Sequence, residues 1–311
     1  MPTTDHMLAE MDQVDEVIRR RLASQVTLID QISGYIVSAG GKRIRPRLVL
    51  LFAQALGFEG SARYELAAIV EFIHTATLLH DDVVDESSLR RGRATANAVF
   101  GNAASVLVGD FLYSRAFQMM VSVSNLRVLE VLADATNVIA EGEVLQLMNM
   151  HDPDLAVSEY LRVIRFKTAK LFEASARLGA VISGSTRELE DACASYGRAL
   201  GTAFQLIDDL LDYEGDSRKL GKNVGDDLRE GKPTLPLLIA MGRCSDDERV
   251  LLRHAIENGA TEELDAILAI VRRTGALDAT REAAALETGK ARACILFAGL
   301  DGKGRPVRIV L

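Results

Sequence analysis

Residues 80–86 read His80-Asp81-Asp82-Val83-Val84-Asp85-Glu86, and Ser87-Ser88-Leu89-Arg90-Arg91-Gly92 follow directly. The stretch closes an apolar run whose spacing predicts a helix over about 62–86. On a helix, residues i and i+4 share a face, so Asp81 and Asp85 point the same way one turn apart. Like charges placed there repel, and a cation between them turns the repulsion into a binding site. Hard carboxylate oxygens, completed by phosphate oxygens, are the ligands Mg²⁺ prefers. A second copy, Asp208-Asp209-Leu210-Leu211-Asp212, closes another apolar run. Upstream of both copies, Thr75-Ala76-Thr77-Leu78-Leu79-His80 aligns without a gap against Thr202-Ala203-Phe204-Gln205-Leu206-Ile207. A lone copy reads equally well as a solvated helix end. Two copies favour a metal and polyanion site, and the rest of the chain is expected to bring the two acidic ends face to face.

The composition narrows the class. The chain has 311 residues, six prolines and no Ser/Gly/Pro-rich linker, so residues 1–311 are expected to form a single domain. Hydrophobic residues make up 48 %, with many Ala and Leu, few aromatics and no Trp, which suits a large helical core. A net charge of -8 disfavours nucleic acid as a partner. Cys193, Cys244 and Cys294 are odd in number and lack metal-ligand spacing, which predicts a reducing, cytoplasmic setting. The polar, acidic start from Met1 to Asp15 does not read as a signal peptide. No uncharged apolar run reaches the roughly 18 residues of a membrane span.

Along the chain, the periodicity predicts two helices before Gly40-Gly41, a strong terminator. Lys42-Arg43-Ile44-Arg45-Pro46-Arg47 then places four cations within six residues, with Pro46 suited to the first position of a new helix. A basic loop at a helix start suits an anion, although a solvated charge run is an equal reading on local grounds. His74 precedes Asp81 by seven residues and so shares nearly its face. Arg90, Arg91 and Arg93 follow the first acidic motif, and guanidinium groups grip phosphate oxygens in pairs. Residues 96–120 read as one helix or two, and a further helix runs over about 125–150. His151-Asp152-Pro153-Asp154 ends it. Lys167 and Thr168 lie in a predicted helix over about 157–183, and the second acidic motif ends the helix that begins near Arg187. The segment from Glu214 to Lys232 reads as a long Gly- and Lys-rich loop, of the kind that covers a site. Pro233 and Pro236 open the next helix, the pattern stays helical to about Phe297, and no strand alternation is apparent.

On these motifs the sequence resembles the all-trans polyprenyl diphosphate synthases of the isoprenyl diphosphate synthase family. Five motifs carry the resemblance in order: Gly40-Gly41-Lys42-Arg43-Ile44-Arg45-Pro46, the Asp81 motif, Arg90-Arg91-Gly92, Lys167-Thr168, and Phe204 to Asp212 with its lysine loop. The chain is most similar to the bacterial long-chain members, which make octaprenyl, nonaprenyl or decaprenyl diphosphate for quinone side chains. The resemblance implies an all-α fold, an antiparallel helical bundle around a deep central cavity, normally a homodimer. It implies that Lys42, Arg45, His74 and Arg91 hold isopentenyl diphosphate. Arg90, Lys167, Thr168, Gln205, Lys222 and Lys232 would hold an allylic primer such as farnesyl or geranyl diphosphate. Three Mg²⁺ ions would bridge that primer to Asp81, Asp85 and Asp208, with Asp82, Asp209 and Asp212 close by. Asp81, Asp85, Asp208, Arg90 and Lys167 would carry the catalysis, and a peripheral membrane contact would serve product release.

The growing chain is expected to descend along its own helix beneath Asp81, past Thr77, Ala76 and Ile73. The small side chains of Ala76 and Thr77 leave that path open and imply a long product. The family's usual C-terminal helix and basic tail do not match the segment from Gly289 to Leu311, which puts that helix in question. Four other readings compete. A shorter-chain farnesyl or geranylgeranyl synthase would share every motif. A class I terpene cyclase lacks the Gly-Gly-Lys loop, and a silent partner subunit typically loses one aspartate motif. A carboxylate di-iron bundle needs two Glu-x-x-His motifs, and only Glu71-Phe72-Ile73-His74 is present.

Overall fold

The computed structural model describes residues 4–38, 40–90, 92–214 and 224–297. Two compact units divide the chain. One comprises the residues to Thr136, Leu171–Gly197 and those from Ala293, and the other comprises Asn137–Lys170 and Arg198–Arg292.

In the first unit, α1 (Thr4–Leu22), α2 (Thr27–Ser38), α3 (Ile44–Ala55), α4 (Ala62–Val84) and α6 (Asn102–Ser122) supply the bulk, with α5 (Ala96–Phe100) short between them. The centre is α4. Leu66, Ala67, Ala68, Ile69, Val70, Phe72 and Ile73 are all buried, so this stretch is enclosed on every side. It packs against α1, α3 and α6. Helix α3 begins at Ile44, two residues before Pro46, so that proline sits within the first turn, where its missing N–H costs nothing. Residues 96–122 resolve as two helices because Gly101, at φ 87°, turns the chain where other residues would be strained. Among the described residues the only strands are a two-residue antiparallel pair, β1 (Leu89–Arg90) with β2 (Arg93–Ala94). It is too short to show the alternation by which strands are read.

Helix α7 (Leu126–Asn149) crosses from the first unit into the second. In the second unit, α8 (Val157–Ile164) runs into a π-helical turn (Arg165–Ala169); α9 (Lys170–Ile182) continues it and from Leu171 is counted in the first unit. Helix α10 (Arg187–Glu214) ends in the second unit, followed by α11 (Asp226–Arg229), α12 (Leu235–Arg243), α13 (Asp246–Asn258), α14 (Leu264–Arg273) and α15 (Ala276–Phe297). Pro236 lies in the first turn of α12. A capping box, Ser245 with Glu248, starts α13 by satisfying two orphan backbone donors. Tyr213, Leu228, Leu237, Leu252, Ile256, Ile267 and Val271 form the core here. Helix α15 runs unbroken through Gly289, so the C-terminal helix that the sequence left in question is present to Phe297. Gly289 does not stop it because a single interior glycine costs only about 1 kcal/mol against alanine. The atypical tail beyond it lies outside the described residues. Among the described residues, no helix is long and apolar enough to cross a membrane.

Candidate active site

The basic loop is held by its own charges. Arg43 caps the start of α3 in the left-handed region at φ 47°, and its guanidinium pairs with Asp15 of α1 and lies 3.9 Å from Glu71 of α4. Lys42 remains exposed. Arg45 turns inward: Nη1 is 3.2 Å from His74 Nε2, and the guanidinium lies 4.4 Å over the Phe172 ring. Its buried Nε has no hydrogen-bond partner among the described residues. Burial pushes Arg45 down to about 10, with Glu71 working against that shift. A buried guanidinium with an unspent donor is a site prepared for an anion.

Asp81 and Asp82 occupy the last turn of α4, and Asp85 follows its end. The Asp85 N–H donates to the Asp81 carbonyl at 2.8 Å, which prolongs the helical turn and keeps the two carboxylates in register. Asp82 behaves differently. It is 4 % exposed, and Arg90 Nε donates to its Oδ1 at 2.8 Å. Burial works against the charge on Arg90, but Asp82, aided by Asp81 and Asp85, outweighs it and raises the arginine's pKa. Asp82 therefore holds an arginine beside the motif, while Asp81 and Asp85 are half-buried. Ile73 and Ala76 are fully buried. Thr77 is half-buried, and its hydroxyl donates to the His74 carbonyl at 2.8 Å. Arg91 lies outside the described residues.

In the second unit, Lys167 and Thr168 sit inside the π-helical turn, a local form that recurs at functional sites. A Cβ added to Gly142 of α7 would lie 2.6 Å from the Lys167 N atom, so only glycine permits this approach. Lys167 Nζ donates to Glu143 Oε2 at 2.5 Å. Thr168 Oγ1 donates to Gln205 Oε1 at 2.9 Å, and Gln205 Nε2 donates to Asp209 Oδ1 at 2.7 Å. The Tyr160 hydroxyl donates to Asp209 Oδ2 at 2.5 Å. Burial and then the neighbouring Asp227 push Asp209 up to about 7, with the bonds from Tyr160 and Gln205 opposing them. Asp208 is exposed and Asp212 is buried, accepting the Asp227 N–H at 3.3 Å. Lys232 Nζ donates to Glu230 Oε2 at 2.6 Å. Lys222 lies outside the described residues.

Each acidic motif thus divides its labour. The second aspartate, Asp82 or Asp209, turns inward and is engaged by the protein, while the first, Asp81 or Asp208, is more accessible. Among the described residues no group of three or more ligating side chains forms a ready-made metal cage. The donor set itself, hard carboxylates a turn apart, suits a divalent cation that brings further oxygen ligands with it. Sequence reasoning missed Tyr160 and the placement of Asp227 beside Asp209 and Asp212. A buried tyrosine leaves no periodic mark, and Asp227 looked like one charge among many in a polar loop.

Comparison with known proteins follows the same lines. The family model described as Polyprenyl synthetase matches residues 26–272. The octaprenyl diphosphate synthase of Escherichia coli (strain K12) is 58 % identical over 287 residues, covering 92 % of this chain and 89 % of the relative. An all-trans-nonaprenyl-diphosphate synthase (geranyl-diphosphate specific) of Rhodobacter capsulatus is 47 % identical, covering 89 % of this chain and 86 % of the relative. Among solved structures, a polyprenyl synthase from Caulobacter crescentus CB15, complexed with calcium and isoprenyl diphosphate, superposes with a TM-score of 0.91. It is 46 % identical, and the match covers 95 % of this chain and 92 % of that one.

Proposed function

The chain belongs to the polyprenyl synthetase family, and from that premise we propose how its residues carry out the reaction. It is a prenyltransferase, a long-chain all-trans polyprenyl diphosphate synthase. The shorter-chain, cyclase and silent-subunit readings give way to this one. The observation that supports our assignment of roles is that each unit has both accessible carboxylates and a cation fixed by another acid: Asp81 and Asp85 in the first unit, where Asp82 holds Arg90, and Asp208 in the second, where Glu143 holds Lys167.

Lys42, Arg45 and His74 hold isopentenyl diphosphate, with Arg91 as a further contact. The unspent Arg45 Nε supports this reading, because an acceptor oxygen would relieve its burial cost. Arg90, Lys167 and Gln205, with Thr168, Lys222 and Lys232, serve the allylic diphosphate. Family members use a divalent cation, and Asp81, Asp85 and Asp208 are the carboxylates we assign to it, as Mg²⁺. The cation supplies charge neutralisation of the leaving diphosphate. The protein's own part is to place Lys167 and Arg90 where negative charge develops as the allylic carbon–oxygen bond breaks. The isopentenyl double bond then forms the new carbon–carbon bond, and the proton lost from that unit passes to the released diphosphate, so no side-chain base is required. Apolar walls exclude water, which would otherwise quench the allylic cation.

We read residues 1–311 as one functional domain, because the family match spans both acidic motifs. A homodimer is supported by Leu107, Phe117 and Val121, large apolar side chains left exposed on α6. A role in quinone side-chain synthesis, a cytoplasmic location and a peripheral membrane contact for product release complete the proposal. The free thiols Cys193 and Cys244, both buried, suit a reducing compartment. The test is incubation of the purified protein with isopentenyl diphosphate, farnesyl or geranyl diphosphate and Mg²⁺, with products resolved by chain length. Octaprenyl to decaprenyl diphosphate is expected, and a product that stops at geranylgeranyl diphosphate would overturn the long-chain reading.

A further inference from the structure

Thr168, Gln205, Asp209 and Tyr160 form an unbroken hydrogen-bonded chain in which every donor can be assigned. In its ionised form Asp209 only accepts. Gln205 must therefore turn its NH2 group to Asp209 and its carbonyl to Thr168, which fixes an amide orientation that is otherwise ambiguous. The Tyr160 hydroxyl gives its proton to Asp209 Oδ2, which holds the phenol at the carboxylate. The ring is 4 % exposed and clamped among Ile164, Leu206, Leu235 and Leu238. Asp209 is 2 % exposed, with one donor on each oxygen.

The donor count has a consequence for anion binding. Thr168 spends its only proton on the Gln205 carbonyl and has lone pairs left. Gln205 spends one amide hydrogen on Asp209 and retains one. Of this pair, only the second Nε2 hydrogen of Gln205 can be given to a phosphate oxygen. Its direction depends on Asp209, whose own rotation is set by Tyr160.

We propose that Tyr160 is a positioning residue for the allylic diphosphate: its hydroxyl anchors Asp209, which orients the Gln205 amide so that the remaining N–H faces the anion. This rests on the reading above that Gln205 and Lys167 serve the allylic substrate. Without the Tyr160 hydroxyl, Asp209 loses the partner of one buried oxygen and is free to rotate. The Gln205 amide then loses its fixed acceptor, and its carbonyl competes with its N–H for the position next to the phosphate.

Tyr160→Phe keeps the ring and removes only the hydroxyl. On the purified full-length enzyme, we expect the dissociation constant of a non-ionising thiodiphosphate analogue of the allylic primer, measured calorimetrically with Mg²⁺, to rise about tenfold. Affinity for isopentenyl diphosphate should stay within about twofold, since losing one partner in this chain touches one substrate only. Because Tyr160 acts through Gln205, the double variant Tyr160→Phe/Gln205→Ala should bind the analogue no more weakly than Gln205→Ala alone. Gln205→Glu, which keeps the shape but has no amide hydrogen, makes the test independent of the packing around Tyr160 and should lose at least as much. Unchanged analogue affinity in Tyr160→Phe, equal loss for both substrates, additive losses in the double variant, or wild-type binding by Gln205→Glu would each overturn the proposal. If Gln205→Ala and Lys167→Ala both bind the analogue normally, the assignment of the allylic site fails and the proposal falls with it. Normal binding by Tyr160→Phe with weak binding by Gln205→Ala removes the proposal alone.

Discussion

Arg45 Nη1 lies 3.2 Å from His74 Nε2, and a guanidinium can only donate. His74 therefore meets Arg45 through its unprotonated nitrogen, and the ring proton sits on Nδ1. The pair fixes one cation and one polar ring on the α3 and α4 side of the basic loop. Arg45→Ala or His74→Ala should chiefly weaken isopentenyl diphosphate, and Lys167→Ala the allylic substrate. Each loses a charge-assisted contact of about 1.5–3 kcal/mol, or roughly ten- to a hundredfold in affinity. Separate KM measurements check this, and equal weakening of both substrates by all three variants would contradict the division of roles.

Burial holds Arg45 down to about 10, so keeping its guanidinium charged inside the fold carries a cost. Arg45→Met should accordingly stabilise the unliganded protein by on the order of 1–2 kcal/mol after the lost His74 and Phe172 contacts are subtracted, read as a higher melting temperature. The same variant should bind isopentenyl diphosphate poorly. A melting temperature below wild type would show that the guanidinium is a net stabiliser without substrate.

The two accessible aspartates are predicted to be indispensable for turnover and dispensable for folding. Asp81→Ala and Asp208→Ala should each lower the rate by several orders of magnitude at saturating Mg²⁺, because a leaving diphosphate needs its charge neutralised. Melting in chelator should be unchanged or slightly higher, since like charges are removed. Near wild-type turnover by either variant would remove that carboxylate from the reaction.

Asp209 makes the unliganded protein's stability depend on pH. Its folded pKa of about 7 is above the ordinary carboxylate value, so between the two the folded state binds the extra proton. Stability is then greatest below the ordinary value and falls as pH rises towards 7, by on the order of 2–4 kcal/mol. Asp209→Asn should flatten that slope in chelator-treated protein. An unchanged slope from denaturant melts at several pH values would place the effect elsewhere.

Product length should respond differently at two adjacent residues. Thr77 is half-buried and can accept a ring, whereas Ala76 is fully enclosed. Thr77→Phe should shorten the product while leaving melting near normal. Ala76→Phe should shorten it as well but lose about 1–3 kcal/mol through overpacking. Wild-type product from both folded variants would move the limit on elongation away from α4.

The helices and both acidic ends were legible because periodicity and like-charge spacing are local properties of the chain. The helix over 62–84 and the acidic motifs that close it and its counterpart at Asp208 follow from such patterns. Asp82 and Asp81 are indistinguishable in sequence, and only packing separates the one that holds Arg90 from its neighbour. Tyr160 was illegible for the same reason, since its partner Asp209 is 49 residues distant. Pro46 entered the first turn of α3 rather than opening it because a left-handed Arg43 started the helix sooner.

The π-helical turn at Arg165–Ala169 changes what kind of mutation the site can tolerate. In an uninterrupted α-helix, the stripe through Tyr160 and Ile164 would next meet the core at Lys167 and Thr168. Instead the next buried position is Ala169, five residues after Ile164. The turn works as a phase shift, letting the two polar residues step out of the apolar stripe without breaking the helix. The information lies in the number of residues as well as their identity. A deletion at Arg165 or Phe166 would restore ordinary α-helical phase with Ala169 four positions after Ile164, but it would leave Lys167 only two positions after it, turned to the opposite face. Segment length is therefore a more stringent constraint here than side-chain chemistry.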